Sequence, residues 1–243
     1  SFAPSPNVTF EWHMMDNLFH LYANAQGYYG IGSLQEYLGY NRYLDIPQGV
    51  AWNTPRTYTP VDAQIGFKIR PLPTLLLDVY GGYAYMSDAY NMYASVDSVK
   101  VTNYELFLTD YHRWKVGASL HYHLRDIVEL NVDGNYYFWR TAADAVVYDR
   151  PNWDLKARVD VHIDSKWSLY SDNYFAGSRT AFTSEGEKTL RPTIALNIGC
   201  SYAVNRWLLA YVQLNDYLHR KNDILYGYQA QGCHFLLGIK YKF

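Results

Sequence analysis

The last eleven residues, CHFLLGIKYKF, are two sequences interleaved. Cys233, Phe235, Leu237, Ile239, Tyr241 and Phe243 are apolar or aromatic, whereas His234, Leu236, Gly238, Lys240 and Lys242 are mostly polar, small or charged. A strict period of two specifies a β-strand whose faces meet different surroundings. The apolar set runs to the final residue, where a water-soluble chain ordinarily becomes polar and frayed.

The same scheme recurs upstream. In NWDLKARVDVHI, the residues Trp153, Leu155, Ala157, Val159, Val161 and Ile163 alternate with Asp154, Lys156, Arg158, Asp160 and His162. In RWKVGASLHYHL, the set from Trp114 to Leu124 alternates with Arg113, Lys115, Gly117, Ser119, His121 and His123. PTIALNIGCSYA and IVELNVDGNYYF repeat it, and VDAQIGFKI and TLLLDVYGGY follow more loosely. Strands are expected near 7–13, 17–29, 58–69, 74–86, 111–124, 127–139, 152–163, 166–177, 191–203, 207–217 and 232–243. Tight turns at 15–17, 70–73, 125–126, 164–166 and 204–206 alternate with long polar connections near 30–57, 87–110, 140–151, 178–191 and 218–231. Residues 94–108 could equally extend the adjoining strands.

Apolar faces of ten to twelve residues are long for a soluble sandwich, and no fixed-period repeat marks a propeller. Lipid requires every backbone polar group to be paired within the protein, which a closed barrel achieves. Alternating short and long connections fit an outer-membrane barrel with short periplasmic turns and extracellular loops. The 26 Tyr, 7 Trp and 10 Phe among 243 residues gather where strands meet connections, as at Tyr83, Tyr136, Trp153, Trp167, Trp207 and Tyr241. Such rings suit the two bilayer interfaces. The expected fold is therefore all-β, a transmembrane antiparallel β-barrel with about eleven visible strands. A final strand that ends in Phe243 resembles the C-terminal signal of bacterial outer-membrane proteins. That resemblance implies the outer membrane of a Gram-negative cell, with a mitochondrial membrane as the alternative.

An odd count conflicts with the even strand numbers of single-chain bacterial barrels. Either a strand is hidden in 30–57 or 87–110, or residues 1–243 form the C-terminal part of a larger barrel, which is the reading preferred here.

The polar faces supply the candidate site residues: Arg113, Lys115, His121, His123, Asp154, Lys156, Arg158, Asp160 and His162 are expected to face the lumen. Their charges are mixed, with no single-sign ladder of the kind that selects ions. His121 and His123, with His162 and the more distant His20, would bind metal only if their strands brought the rings together. A polar lumen wall is the expectation, with no metal, cofactor or catalytic residue. No G-x-S-x-G or paired Ser–His signature points to a hydrolase. A net charge of −2 gives no reason to expect nucleic acid. Cys200 and Cys233 lie near opposite ends of different strands and are expected to be free thiols.

The segment LAYVQLNDYLHRKNDILYGYQAQGCHFLLGIKYKF resembles the C-terminal end of TonB-dependent outer-membrane receptors. Asn215, Leu218, Tyr226, Gly227, Tyr228, Gln231, Gly232 and Phe243 carry the match, with Tyr217 and Gln231 departing from the usual Leu and Pro. LFHLYANAQGYYGIGSLQEYLGYNRYL and YTPVDAQIGFKIRP are similar to receptors of Bacteroidetes type. The resemblance implies energised import of a scarce ligand, such as a metal chelate, cobalamin or glycan. It implies the lipid bilayer, the outer-membrane assembly machinery and TonB or other outer-membrane and periplasmic proteins as partners. Tyr241 and Phe243 resemble the C-terminal signal read by that assembly machinery. Two other roles fit the strands: a non-transporting subunit of an outer-membrane assembly or secretion complex, and a passive diffusion porin.

Overall fold

A computed structural model describes residues 5–15, 18–30, 41, 44, 57–97, 100–141 and 147–241. All regular structure among them is β. The strands are β1 (Asn7–Met14), β2 (Phe19–Tyr29), β3 (Tyr58–Leu72), β4 (Leu75–Asp97), β5 (Lys100–Leu124), β6 (Val128–Thr141), β7 (Trp153–His162) and β8 (Trp167–Ala176). They continue with β9 (Arg179–Thr183), β10 (Gly186–Leu190), β11 (Thr193–Ala203), β12 (Leu208–Asn215), β13 (Asp223–Leu225), β14 (Tyr228–Gln229) and β15 (His234–Tyr241).

Eleven of these form one antiparallel meander in the order β1-β2-β3-β4-β5-β6-β7-β8-β11-β12-β15. Each strand hydrogen-bonds its sequence neighbours in this path, and among the described residues β1 and β15 remain outer edges. The short turns, at 15–18, 73–74, 125–127, 163–166 and 204–207, all lie at one end. Two are closed in the same way. Asp164 Oδ1 accepts the backbone N–H groups of Lys166 and Trp167, each at 2.7 Å, and Asn205 Oδ1 accepts those of Trp207 and Leu208 at 2.8 and 2.9 Å. Both are local side-chain caps of the kind Asp and Asn favour in turns.

The register sorts side chains into an apolar and a polar face. On the apolar face Ile65, Gly81, Val116, Tyr136 and Trp153 lie in one row across five strands. Large hydrophobic residues of this face are exposed, with Leu237 and Ile239 at 71% and Val116 at 54%. In water such a face is a large hydrophobic penalty; in hydrocarbon it is solvated. Rings mark both ends. Tyr83, Trp114, Tyr136, Phe138 and Trp153 lie toward the long connections, and Trp167, Tyr202, Trp207 and Tyr241 toward the short turns, with Trp167 and Tyr202 4.6 Å apart. The nine steps from Trp153 to His162 span ~30 Å along the strand, or ~23 Å once tilted by ~40°, which matches the apolar band of such barrels.

On the polar face tyrosines lie across glycines of the next strand. Tyr22 is opposite Gly66, Tyr80 opposite Gly117, Tyr170 opposite Gly199 and Tyr211 opposite Gly238. A Cβ on Gly117 would come within 2.4 Å of the Tyr80 ring, and one on Gly199 within 2.3 Å of Tyr170. The ring occupies the space that the missing side chain leaves, a cross-strand pairing that also fixes register.

Three of the long connections contain strand, the first of them along the strand extension left open for 94–108. Within 87–110, β4 and β5 continue as a paired ribbon to Asp97 and Lys100. Within 178–191, β9 and β10 form a hairpin, and β9 runs parallel to β4 through Tyr93–Phe182 and Ala94–Thr183. Within 218–231 lies the small β13–β14 pair. Together they form a cap at the long-connection end. One face of the ribbon presents Met92, Ala94 and Tyr104 to Leu44 and Leu225. The other presents Phe107 and Tyr93 to Tyr148 and Phe182, whose rings stack at 4.7 Å. This cap, rather than the wall, holds most of the buried hydrophobic core. Most of the expected connection 30–57, and Phe243 at the terminus, lie outside the described residues.

Candidate functional site

The polar face of the wall is knitted from strand to strand. Arg113 on β5 passes Ala84 on β4 and donates to Asp62 on β3 at 3.1 Å. One row nearer the short turns, Lys115 passes Gly82 and donates to Gln64 at 3.0 Å. Small residues on the middle strand let each cation reach across two strands. Gln64 Nε2 donates to the Tyr22 hydroxyl at 3.1 Å, and that hydroxyl donates to Asp78 at 3.0 Å. Lys115 also lies 4.7 Å from the centre of the Tyr80 ring.

A second branch crosses β4 to β7. The Tyr80 hydroxyl donates to Asn135 Oδ1 at 2.8 Å, Asn135 Nδ2 donates to Asp154 Oδ1 at 2.9 Å, and the Tyr137 hydroxyl donates to Asp154 Oδ2 at 3.0 Å. Further round, Arg158 forms a two-pronged contact with Asp160 at 2.7 and 2.9 Å and reaches Asp172 at 3.5 Å. Arg113 and Arg158 are ion-paired with carboxylates, while Lys115, Asp78 and Asp154 are held by neutral hydrogen-bonding groups, so both signs of charge are interspersed over the face.

Where the wall meets the cap, Tyr111 is fully buried and its hydroxyl donates to Asn91. The Arg150 guanidinium lies over both Tyr111 and Trp139, 4.6 and 5.1 Å from the ring centres. Arg179 joins the cap segments: it donates to Asp149 at 2.7 Å and to the carbonyls of Asp223 and Ile224. Burial and the nearby Glu187 carboxylate raise the pKa of the Tyr148 phenol in this cap.

No protein-family model matches the sequence, and no curated protein matches it. Solved structures do. The chain superposes on the siderophore receptor PirA from Acinetobacter baumannii with a TM-score of 0.69 at 11% identity, covering 98% of this chain and 41% of that one. The pyoverdine outer membrane receptor FpvA from Pseudomonas aeruginosa gives 0.69 at 12%, over 98% and 36%. The copper transporter OprC gives 0.67 at 12%, over 98% and 40%. The likeness is one of fold: the sheet matches part of the β-barrel of these three proteins. The chain spans between 36% and 41% of these three structures.

On this wall, every polar-face residue singled out from the sequence falls on the same side of the sheet. Arg113, Lys115, Asp154, Arg158 and Asp160 enter the contacts above. Lys156 lies in register between Asp133 and Tyr174. The histidines are not gathered. His121 Nδ1 is bonded to Asn131, His162 Nδ1 to Ser168 at 2.8 Å, and His123 sits opposite Glu129. His20 instead meets two residues the sequence pattern did not single out, Glu11 and His13 on β1. The only prior signal was their spacing about the tight turn, E-x-H-x6-H, which becomes meaningful once the turn register is known. Cys200 and Cys233 are free, and Tyr241 closes the last paired position of β15.

Proposed function

We propose that the chain forms part of the transmembrane wall and extracellular cap of an outer-membrane receptor of TonB-dependent type, which imports a scarce ligand. The carrying observation is the eleven-strand meander, apolar on one face, wired with hydrogen bonds on the other, and roofed by a packed cap at the long-connection end. Arg113, Lys115, His121, His123, Asp154, Lys156, Arg158, Asp160 and His162 face the lumen in this reading. Among the described residues β1 and β15 are outer edges, and in this reading each pairs with a further strand, because an open edge is unstable in hydrocarbon. Eleven strands are half of the twenty-two of a plugged outer-membrane transporter.

Neighbours named for siderophores, pyoverdine and copper support a metal or metal-chelate cargo. The resemblance of residues 18–44 and 58–71 supports a Bacteroidetes-type receptor. Tyr241 and Phe243 would present the signal for the assembly machinery, and TonB would supply the coupling to the inner membrane.

The test is binding and uptake by the full-length protein, using ferric siderophores, cupric ion, cobalamin and oligosaccharides as the panel. The reading predicts saturable binding of one class and uptake that stops when the proton-motive force is dissipated. Steady ionic conductance in planar bilayers without an energy source would instead identify a porin. Stable co-purifying proteins with neither binding nor uptake would identify a subunit of an assembly or secretion complex.

A further inference from the structure

On β1, Glu11 and His13 share the face of Asn7 and Thr9, opposite to Phe10, Trp12 and Met14. The tight turn at 15–18 returns the chain so that His13 lies opposite His20 and Glu11 opposite Tyr22. The two imidazoles stack, centres 4.1 Å apart at 21°. Glu11 Oε2 stands 3.7 Å from His13 Nε2 and 3.8 Å from His20 Nε2, and one ligand atom from each residue lies within 4.8 Å of the other two.

Three donors bound to one transition-metal ion at ~2.1 Å sit ~3.0–3.4 Å from one another. The two carboxylate–imidazole contacts are within a few tenths of an ångström of this range, and the third pair lies within 4.8 Å. Because the rings are stacked, binding also requires the His13 ring to rotate out of the stack so that both nitrogen lone pairs point at one ion. Glu11 and His13 are exposed, so their side chains can rearrange on the solvent side of the hairpin. His20 is the anchored member: its side chain is 19% exposed, and Nε2 is buried with no hydrogen-bond partner among the described residues. A buried ring nitrogen left unsatisfied is unfavourable, and a metal bond would satisfy it.

Two imidazoles and a carboxylate suit zinc, copper, cobalt or nickel and leave coordination positions open. The recess beside the histidines is lined by Lys68, Arg70 and Leu76, with Lys68 directly opposite His20 and 5.0 Å from the Tyr22 ring centre. Two cations on the open side oppose a bare dication. They favour one whose remaining positions hold an anion such as chloride, hydroxide or a carboxylate.

We propose that Glu11, His13 and His20 form a binding site for a divalent transition-metal ion on the polar face of the β1–β2 hairpin. The site needs only this hairpin and its recess, so it stands independently of the transport reading. The test titrates the full-length protein in detergent with cobalt chloride, followed by visible absorption, and then displaces cobalt with zinc chloride. One additional cobalt per chain is expected relative to a His13→Ala/His20→Ala double variant. In Glu11→Gln, which keeps the side-chain shape, binding should weaken at least about tenfold. His121→Ala should bind as the unaltered protein does, and heat-dependent gel migration verifies that each barrel is folded. Equal cobalt binding by the unaltered protein, Glu11→Gln and the double variant would overturn the proposal, as would the same loss in His121→Ala.

Discussion

A glycine on this wall has a different meaning on each face. On the polar face Gly199 lies under the Tyr170 ring, whereas on the apolar face the nearest atom to a Cβ on Gly81 is the Lys115 carbonyl oxygen at 3.8 Å. Gly199→Val is expected to destabilise the barrel by ~1–3 kcal/mol through forced displacement of the ring. Gly81→Ala should shift stability by no more than ~0.5 kcal/mol. Urea unfolding in detergent, followed by Trp fluorescence, distinguishes the two. Asp164 gives a second residue-scale expectation. The N–H groups of Trp167 and Lys166 stabilise its carboxylate and hold its pKa below the ordinary 3.8. The folded pKa is therefore below the unfolded one, so this stabilisation is present above about pH 4. It disappears as the pH falls through the folded value. Asp164→Ala should lower the urea midpoint at pH 7, and the gap should narrow progressively as the pH falls below about 4. At this scale the faces of Arg113, Lys115, Asp154 and Arg158 were legible in the sequence, because period two determines them. Glu11 with His13 was not legible as a pair for His20, because the turn register decides which residues meet.

The wall strands β6, β7, β11 and β15 could be read from sequence because lipid and lumen impose opposite demands on alternate residues. The β4–β5 ribbon above the wall was harder to read as strand. Both of its faces are packed, one on Leu225 and the other on Phe182 and Tyr148, so Met92, Ala94, Tyr93 and Phe107 carry no apolar–polar alternation. The β9–β10 hairpin was hidden in the same way by Arg179, Thr180, Thr183 and Gly186, whose composition suits a loop. Arg179 sits where 147–150, β9 and β13 meet, and its ion pair with Asp149 is largely shielded from water, with side chains 14% and 20% exposed. Arg179→Ala should cost the cap ~1.5–3 kcal/mol locally. Protease added to intact cells should then cut within 147–152 or 218–228 faster than in the unaltered protein, while the barrel keeps its heat-dependent gel migration.

At the scale of the molecule, the sheet is inverted relative to a water-soluble protein. Exposed Leu237, Ile239 and Val116 face outward, and Tyr22, Tyr80 and Asp154 form the hydrogen-bonded side. The eleven wall strands were countable from the sequence because each carries its own two-face pattern and its own turn. Which strands pair with β1 and β15, the outer edges among the described residues, was not readable, because an edge is a property of pairing. The central claim is that one face meets lipid and the other an aqueous lumen. The most direct test places a nitroxide label singly at positions 153–162 of the full-length protein in bilayers, in a background carrying Cys200→Ser and Cys233→Ser. Accessibility to oxygen and to a water-soluble nickel complex is then measured at each position. Oxygen maxima at 153, 155, 157, 159 and 161, with nickel-complex maxima at 154, 156, 158, 160 and 162, are the predicted result. Two profiles without this opposed period of two, or nickel access equal on both faces, would contradict the account.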